Sequence, residues 1–249
     1  MRISVANKPL KRKPTTQQEK SQYFKKLNFR TGDLDKDKIR EIIETGYTIT
    51  YLYKDDEFNR ANHYMSNHYL GTQFICVDID RCDMPPEEFV EHVKYRPSIV
   101  HTTFSNLTES KDYRYCYHLL YFFDEIIFGE NNFNEIFNSL TNDYTEHVDK
   151  QARDCHRVIF TSNSSLPNYE YHDYSITYNI KDFIVSDNGD AHEWDKMSST
   201  HKSSIPQYNI SDKTDLSHEI QISNTFDLNN QFISDMYKMK RGQFIAEYA

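Results

Sequence analysis

The stretch QFICVDID, residues 73–80, decides the fold. An apolar run that closes on two acids predicts a buried strand with Asp78 and Asp80 at its end. Because side chains at i and i+2 of a strand point to the same face, both carboxylates project together. Like charges this close repel unless a cation lies between them, and carboxylate oxygens suit Mg²⁺ or Mn²⁺. Taken alone, the pair also fits an ordinary solvated strand end, and both interpretations stay open.

The elements on either side of this strand predict an α+β fold. Upstream, a helix with Ile39, Ile42 and Ile43 at helical spacing ends at Gly46 and leads into a strand over residues 47–53. Downstream, the patterns predict a helix, two strands of a hairpin, a second helix and a further strand, over residues 85–97, 98–104, 113–123, 131–140 and 157–160. This order matches the split βαβ arrangement, an antiparallel-rich sheet with two helices.

The net charge of −9 is distributed unevenly over the 249 residues. Residues 1–30 carry nine basic side chains and one acid, so this segment is basic while the rest of the chain is acidic. A basic arm on an acidic body indicates a polyanion near one end of the chain. A solvated, disordered N-terminus explains the same charges, and residues 1–16, polar and with two prolines, are predicted to be flexible.

The changes in composition along the chain predict three segments. Residues 1–30 form a basic N-terminal arm and residues 31–185 form the main folded domain. Residues 186–249, rich in Ser, Asn, Asp and His, are predicted to be a polar linker. A short amphipathic helix is predicted within that linker, over residues 226–240.

Composition and motifs argue against several classes of protein. No run approaches the roughly 20 apolar residues of a membrane span, and no apolar segment near Met1 suggests a signal peptide. The four cysteines form no CxxC pair, which argues against a zinc knuckle or a disulfide framework and fits a reducing cytoplasm. With six glycines, the chain has no GxxxxGK[ST] or GxGxxG phosphate loop, and no GxSxG nucleophile elbow.

A third candidate carboxylate is Asp149, which follows the predicted helix of residues 131–140 in the sequence HVD. A two-metal phosphoryl-transfer site needs acidic ligands that clamp the attacking and leaving oxygens. A neighbouring strand that brings Asp149 to the first two acids would complete such a set. Spacing does not choose between Asp149 and the other acids nearby, which are Asp143, Glu146 and Asp154.

Four further side chains are candidates for contacts with phosphate groups. His118 lies in the middle of an apolar strand, where it either fills the core or donates to a phosphate oxygen. Ser105 stands at the mouth of the predicted hairpin and offers a hydroxyl. Arg114 and Arg157 suit bidentate, charge-assisted contacts with phosphate, and solvation at the surface is the alternative for both.

The order of these motifs resembles the archaeo-eukaryotic primase superfamily, the primase-polymerases, and in particular the replication proteins of plasmids, phages and other mobile elements. That superfamily carries an hhhDhD strand, an S/T…H hairpin and an hD motif, where h is a hydrophobic residue. Here the motifs read FICVDID, then VHTTFSN followed by YRYCYHLLYFFDE, then HVDKQARDCHRVIF. The resemblance covers residues 72–163 of this chain.

The resemblance implies an RRM-like catalytic module within the main domain, with a small α/β unit beside it. It implies a DNA primase and/or DNA polymerase, in which Asp78, Asp80 and Asp149 hold two divalent ions, Mg²⁺ or Mn²⁺. His118 and Arg157 would contact the phosphates of a dNTP or NTP. The implied partners are a single-stranded DNA template or a primer-template, and a replicative helicase.

The hairpin departs from the superfamily pattern. The compact SxH motif has Ser and His two residues apart, whereas here Ser105 and His118 are separated by a whole hairpin turn, and Thr103 is an alternative to Ser105. Two other functions stay open. One is a non-catalytic replication-initiation or single-stranded-DNA-binding module with a primase-like fold, and the other is a metal-dependent nuclease that uses the same acids.

Overall fold

The computed structural model describes residues 1–59, 68–149 and 153–183, which form an α+β fold with two antiparallel sheets. The strands are β1 (Arg2–Pro9), β2 (Asn28–Asp33), β3 (Tyr47–Thr50), β4 (Leu52–Tyr53), β5 (Glu57–Asn59), β6 (Tyr69–Cys82), β7 (Ile99–Thr102), β8 (Tyr115–Phe128), β9 (Val158–Ile159) and β10 (Tyr171–Asp173). The α-helices are α1 (Gln17–Lys25), α2 (Lys36–Thr45), α3 (Pro86–Val90) and α4 (Glu130–Thr141). The first sheet has the order β5-β2-β1-β3-β9, and the second has the order β10-β7-β8-β6-β4.

The second sheet contains the predicted split βαβ arrangement. β6 and β7 run in the same direction with β8 antiparallel between them, and α3 connects the two. The register pairs His118 of β8 with Asp78 on one side and with His101 on the other. On the far side of β6, Val148 forms an antiparallel bridge with Ile79. The predicted fold class is therefore confirmed.

The first sheet is the α/β unit beside this module, and it includes the N-terminus. β1 lies between β2 and β3, so its backbone hydrogen bonds are satisfied on both edges. Ile3 and Ala6 are buried, and the buried Ser4 hydroxyl bonds to the Thr31 hydroxyl at 2.8 Å. The prediction that residues 1–16 are flexible is therefore wrong for β1. Pairing with two neighbouring strands stabilises a segment whose own composition is polar and basic.

The helix and strand that precede the second sheet follow the predicted pattern. The three isoleucines of α2 that were expected to share a face are buried, and Gly46 ends the helix in the left-handed conformation. The single strand predicted over residues 47–53 is interrupted at Tyr51. Its first part joins the first sheet as β3, and its second part joins the second sheet as β4.

Gly46→Ala is expected to lower the free energy of unfolding by about 1–3 kcal/mol. Gly46 has a φ of +91°, and a Cβ there would meet the carbonyl oxygens of Leu10 at 2.7 Å and of Ser162 at 3.0 Å. Gly32→Ala is the matched control, because a Cβ on Gly32 meets nothing within 4 Å. Urea unfolding of both variants measures the difference, and equal stabilities would contradict this account of the turn.

The predicted division of the chain into three segments is only partly covered by the described residues. The predicted polar linker of residues 186–249 and its helix over residues 226–240 lie outside the described residues. The predicted domain boundaries at residues 30 and 185 stay predictions. Within the described part of the chain, none of the helices has the length and apolar character needed to cross a membrane.

Candidate active site

A cleft of about 990 Å³ is lined by residues of both sheets. Six of the seven predicted site residues line it, namely Asp78, Asp80, Ser105, His118, Asp149 and Arg157. Basic side chains that the sequence did not single out for this site also line it, among them Lys13, Lys20 and Lys111. The cleft therefore combines a cluster of carboxylates with several cationic side chains.

The three predicted acids line the same cleft because the segment of residues 147–149 pairs with the end of β6. The Asp149 N–H donates to the Asp78 carbonyl at 2.9 Å, and the Asp80 N–H donates to the His147 carbonyl at 3.3 Å. Asp149 thus lies beside Asp78 at the end of β6. Of the other candidate acids near Asp149, Asp154 also lines the cleft. Its carboxylate accepts a hydrogen bond from the His156 N–H at 2.8 Å.

Asp78 is the most buried of the three acids, with 13% of its side chain exposed. Arg157 donates to one of its carboxylate oxygens at 2.7 Å, and His118 Nε2 lies 3.6 Å from the other. Burial raises the pKa of Asp78, but the neighbouring His118 and Arg157 outweigh burial and hold that pKa well below its usual range. Asp78 is therefore a carboxylate at neutral pH, despite its burial.

Arg157 connects Asp78 to Asp149. The Nη2 atom that bonds to Asp78 also lies 3.4 Å from Asp149 Oδ2, and Nη1 lies 3.5 Å from the same oxygen. One guanidinium therefore offsets the repulsion between two acids that the fold brings together. The sequence predicted Arg157 as a phosphate contact, and in this structure its partners are carboxylates.

Asp80 has a different cation, Lys111, which lies in the short 3₁₀ turn of residues 109–111 between β7 and β8. Lys111 Nζ donates to Asp80 Oδ2 at 2.6 Å, and the Cys116 thiol donates to Oδ1 at 3.2 Å. Burial raises the pKa of Cys116 to about 12, so the thiol keeps its proton and acts as a donor. Cys116 stands two residues before His118 on β8, a spacing that places both on one face and was a usable signal.

His118 is buried at the wall of the cleft with a second histidine behind it. The rings of His101 and His118 meet edge to face, with centroids 5.0 Å apart. Burial lowers the pKa of His101 to about 3, so this ring is neutral at physiological pH. His118 is therefore buried and lies beside Asp78, as the core alternative predicts. Its predicted contact with a phosphate oxygen stays a prediction.

The remaining two predicted residues differ in position. Ser105 lines the cleft together with Thr103, and the Ser105 N–H donates to the Thr103 hydroxyl at 3.2 Å. Arg114 is not among the residues that line the cleft, and its Nε lies 3.3 Å from the exposed Asp83 carboxylate. The structure therefore does not bring Arg114 together with the other candidates.

The carboxylate cluster fits bound divalent cations. Its donors are hard oxygen atoms, which Mg²⁺ and Mn²⁺ prefer. The Arg157 guanidinium and the Lys111 ammonium already lie against these oxygens, which shows that the site attracts positive charge. Divalent cations would have to compete with these two side chains for the same carboxylates.

The chain was compared with protein families, curated proteins and solved structures. No protein-family model matches the chain, and no curated protein matches it. Among solved structures, the chain is similar to the AEP domain of the primase-polymerase (PrimPol) of cyanophage S-2L, with 12% identity and a TM-score of 0.40, over 73% of this chain and 86% of that chain. At this identity and TM-score, the similarity assigns no role to any residue.

Proposed function

We propose that the chain is a template-directed nucleotidyltransferase, a DNA primase and/or DNA polymerase that acts in the cytoplasm in the replication of a plasmid, phage or other mobile element. The observation that carries the proposal is the backbone pairing between Asp78 and Asp149. It brings a third carboxylate to the pair on β6, at the wall of a cleft large enough for a nucleotide. The motif order supports the same class of enzyme.

Asp78, Asp80 and Asp149 would hold two divalent ions, Mg²⁺ or Mn²⁺. When bound, such ions activate the attacking 3′-hydroxyl and stabilise the charge that develops on the phosphoryl group. The side chains of the protein supply the rest. Arg157 and His118 border the same carboxylates and offer N–H donors to the triphosphate of an incoming dNTP or NTP. Ser105, which the hairpin turn separates from His118, offers a hydroxyl to the same triphosphate.

The charges around the cleft suit a polyanion in spite of the acidic composition of the chain. Lys13 and Lys20 belong to the basic N-terminal segment and line the cleft next to the acids. Cationic side chains attract the phosphates of DNA, and the binding that they provide weakens as salt increases. The N-terminal segment is therefore the proposed contact for a single-stranded template or a primer-template. A replicative helicase is proposed as a partner on the motif resemblance alone.

The non-catalytic alternative and the nuclease alternative use the same fold in different ways. A single-stranded-DNA-binding module needs basic and aromatic side chains but has no need of three acids that line one cleft. The presence of Asp78, Asp80 and Asp149 in the same cleft therefore favours an enzyme. A metal-dependent nuclease would use the same acids, and only the direction of the change in strand length separates it from a polymerase.

The experiment that tests the proposal uses the full chain, a single-stranded DNA template of mixed sequence, labelled dNTPs or NTPs, and Mg²⁺ or Mn²⁺. Reactions with and without a primer separate extension from de novo priming. We expect products that lengthen with nucleotides complementary to the template and that require the divalent ion. Strands that shorten would indicate the nuclease. Salt-dependent DNA binding without incorporation would indicate the non-catalytic module.

A further inference from the structure

A second group of metal-ligating side chains lies where α4 begins beside the segment of residues 153–157. The ligand atoms of Glu130, Cys155 and His156 all lie within 4.8 Å of one another. Cys155 Sγ lies 3.5 Å from His156 Nε2, which lies 4.0 Å from Glu130 Oε2. We propose that these three residues form a binding site for a divalent transition metal, with Zn²⁺ as the best match.

The chemistry of the donors selects the class of metal. A thiolate, an imidazole and a carboxylate are the ligands of zinc and related transition metals, whereas Mg²⁺ prefers oxygen donors alone. The proposed site is therefore chemically distinct from the all-carboxylate set of Asp78, Asp80 and Asp149. Three protein ligands leave the fourth position of a tetrahedral ion for water.

The distance between the sulfur and the nitrogen fits tetrahedral coordination. With Zn–S of about 2.3 Å and Zn–N of about 2.0 Å, tetrahedral angles separate the two ligand atoms by about 3.5 Å. The observed separation of Cys155 Sγ and His156 Nε2 is 3.5 Å. Glu130 stands in the first turn of α4 and is exposed over more than half of its side chain, so it has room to close the remaining gap.

Neighbouring residues hold the partly buried His156 in position. The Asp154 carboxylate accepts from the His156 N–H at 2.8 Å, and the Tyr53 hydroxyl donates to the His156 carbonyl at 3.4 Å. The ring of Tyr69 packs edge to face against the His156 ring, with centroids 5.3 Å apart. Ligands that their neighbours fix before binding lose less entropy when the metal arrives. This arrangement suits a preformed site.

The Cys155 thiol would exchange its proton for the metal. Burial raises the pKa of Cys155 to about 12, so the thiol is protonated when no metal is bound. A coordinating metal deprotonates such a thiol, with release of one proton for each ion bound. The metal would tie α4 to the segment that carries Arg157, two residues after Cys155.

The test is a Co²⁺ titration of the full chain after removal of bound metal, because Co²⁺ bound to a thiolate absorbs in the near ultraviolet and Co²⁺ bound only to oxygens does not. We expect one equivalent of Co²⁺ to produce this absorption and Zn²⁺ to remove it. Cys155→Ser is expected to abolish the absorption. Cys116→Ser is the matched control, because Cys116 is the buried thiol that contacts Asp80, and it is expected to keep the absorption.

The possible results separate this site from the carboxylate cluster. Absence of the thiolate absorption in the natural chain, or its loss in Cys116→Ser but not in Cys155→Ser, would overturn the proposal. If Cys155→Ser does not fold, as measured by circular dichroism, Glu130→Gln at an exposed position takes its place. It is expected to weaken Co²⁺ binding at least about tenfold, and unchanged affinity would overturn the proposal. The absorption needs no nucleotide incorporation, so the proposed polymerase activity can fail without affecting this result.

Discussion

Replacing both Asp78 and Asp80 by asparagine is expected to lower template-directed nucleotide incorporation at least about 1000-fold. Asparagine has nearly the same shape as aspartate but lacks the negative charge that binds divalent ions. Arg157 keeps Asp149 as a partner in this variant, so the cationic side chain is not left alone. The chain is therefore expected to fold, which circular dichroism and thermal unfolding would measure.

The matched control for this variant is Asp83→Asn. Asp83 lies close to the same acids in sequence, but 78% of its side chain is exposed and its partner is Arg114. Incorporation by Asp83→Asn is expected to stay within about twofold of the natural chain, since exposed ion pairs contribute little. Undiminished extension by the Asp78→Asn, Asp80→Asn variant would contradict the two-metal mechanism. Unchanged DNA binding together with lost incorporation would assign these acids to chemistry and not to the template.

The centre of the fold was predictable because its elements carry strong local signals. The short apolar run that ends in Asp78 and Asp80 is typical of a buried strand. Likewise, Gly46 stands at the end of a regular helical pattern, where a left-handed residue is needed. Such signals depend on near neighbours in sequence, so a single sequence contains them in full.

The structural features that the sequence did not predict depend on contacts between residues that are distant in the chain. β1 is a strand because β2 and β3 pair with both its edges, and its polar composition by itself favours a flexible segment. The ion pair between Lys111 and Asp80 joins residues that are 31 positions apart in the sequence. Arg157 was predicted to meet phosphate, since nothing local indicates that folding brings it to two carboxylates.

Arg157→Met is expected to lower the free energy of unfolding by about 2–4 kcal/mol at pH 7 without divalent ions. The substitution leaves Asp78 and Asp149 facing each other without the guanidinium that lies between them. Asp78 is buried while Arg157 keeps 26% of its side chain exposed, so we expect slightly less than the effect of breaking a fully buried pair. Arg114→Met is the control and is expected to change the free energy by less than about 0.5 kcal/mol, because its ion pair is exposed.

The effect of Arg157→Met is expected to depend on pH in a direction that follows from Asp78. In the natural chain its pKa lies below the value of the unfolded chain, so ionised Asp78 stabilises the fold above about pH 4, and that contribution is lost as the pH falls through the lowered pKa. In the variant, burial and the neighbouring His118 remain but the guanidinium is lost, so the pKa of Asp78 rises relative to the natural chain. The stability difference between the two chains is therefore largest near pH 7, and it shrinks as the pH falls through the raised pKa of Asp78 in the variant. Urea unfolding across this range measures it, and a difference that stays constant would contradict the assigned cause.

Divalent ions are expected to reduce the loss of stability that Arg157→Met causes, because the ions and Arg157 compete for the same carboxylates. In the natural chain, Mn²⁺ has to displace the guanidinium from Asp78 and Asp149, whereas in Arg157→Met those oxygens are free of it. A ligand that binds only the folded state stabilises it in proportion to its affinity for that state. The rise in melting temperature caused by Mn²⁺ is therefore expected to be larger in Arg157→Met than in the natural chain or in Arg114→Met. An equal rise in all three would mean that Mn²⁺ binds elsewhere, and the carboxylate cluster would then be an ion-pair network without a metal.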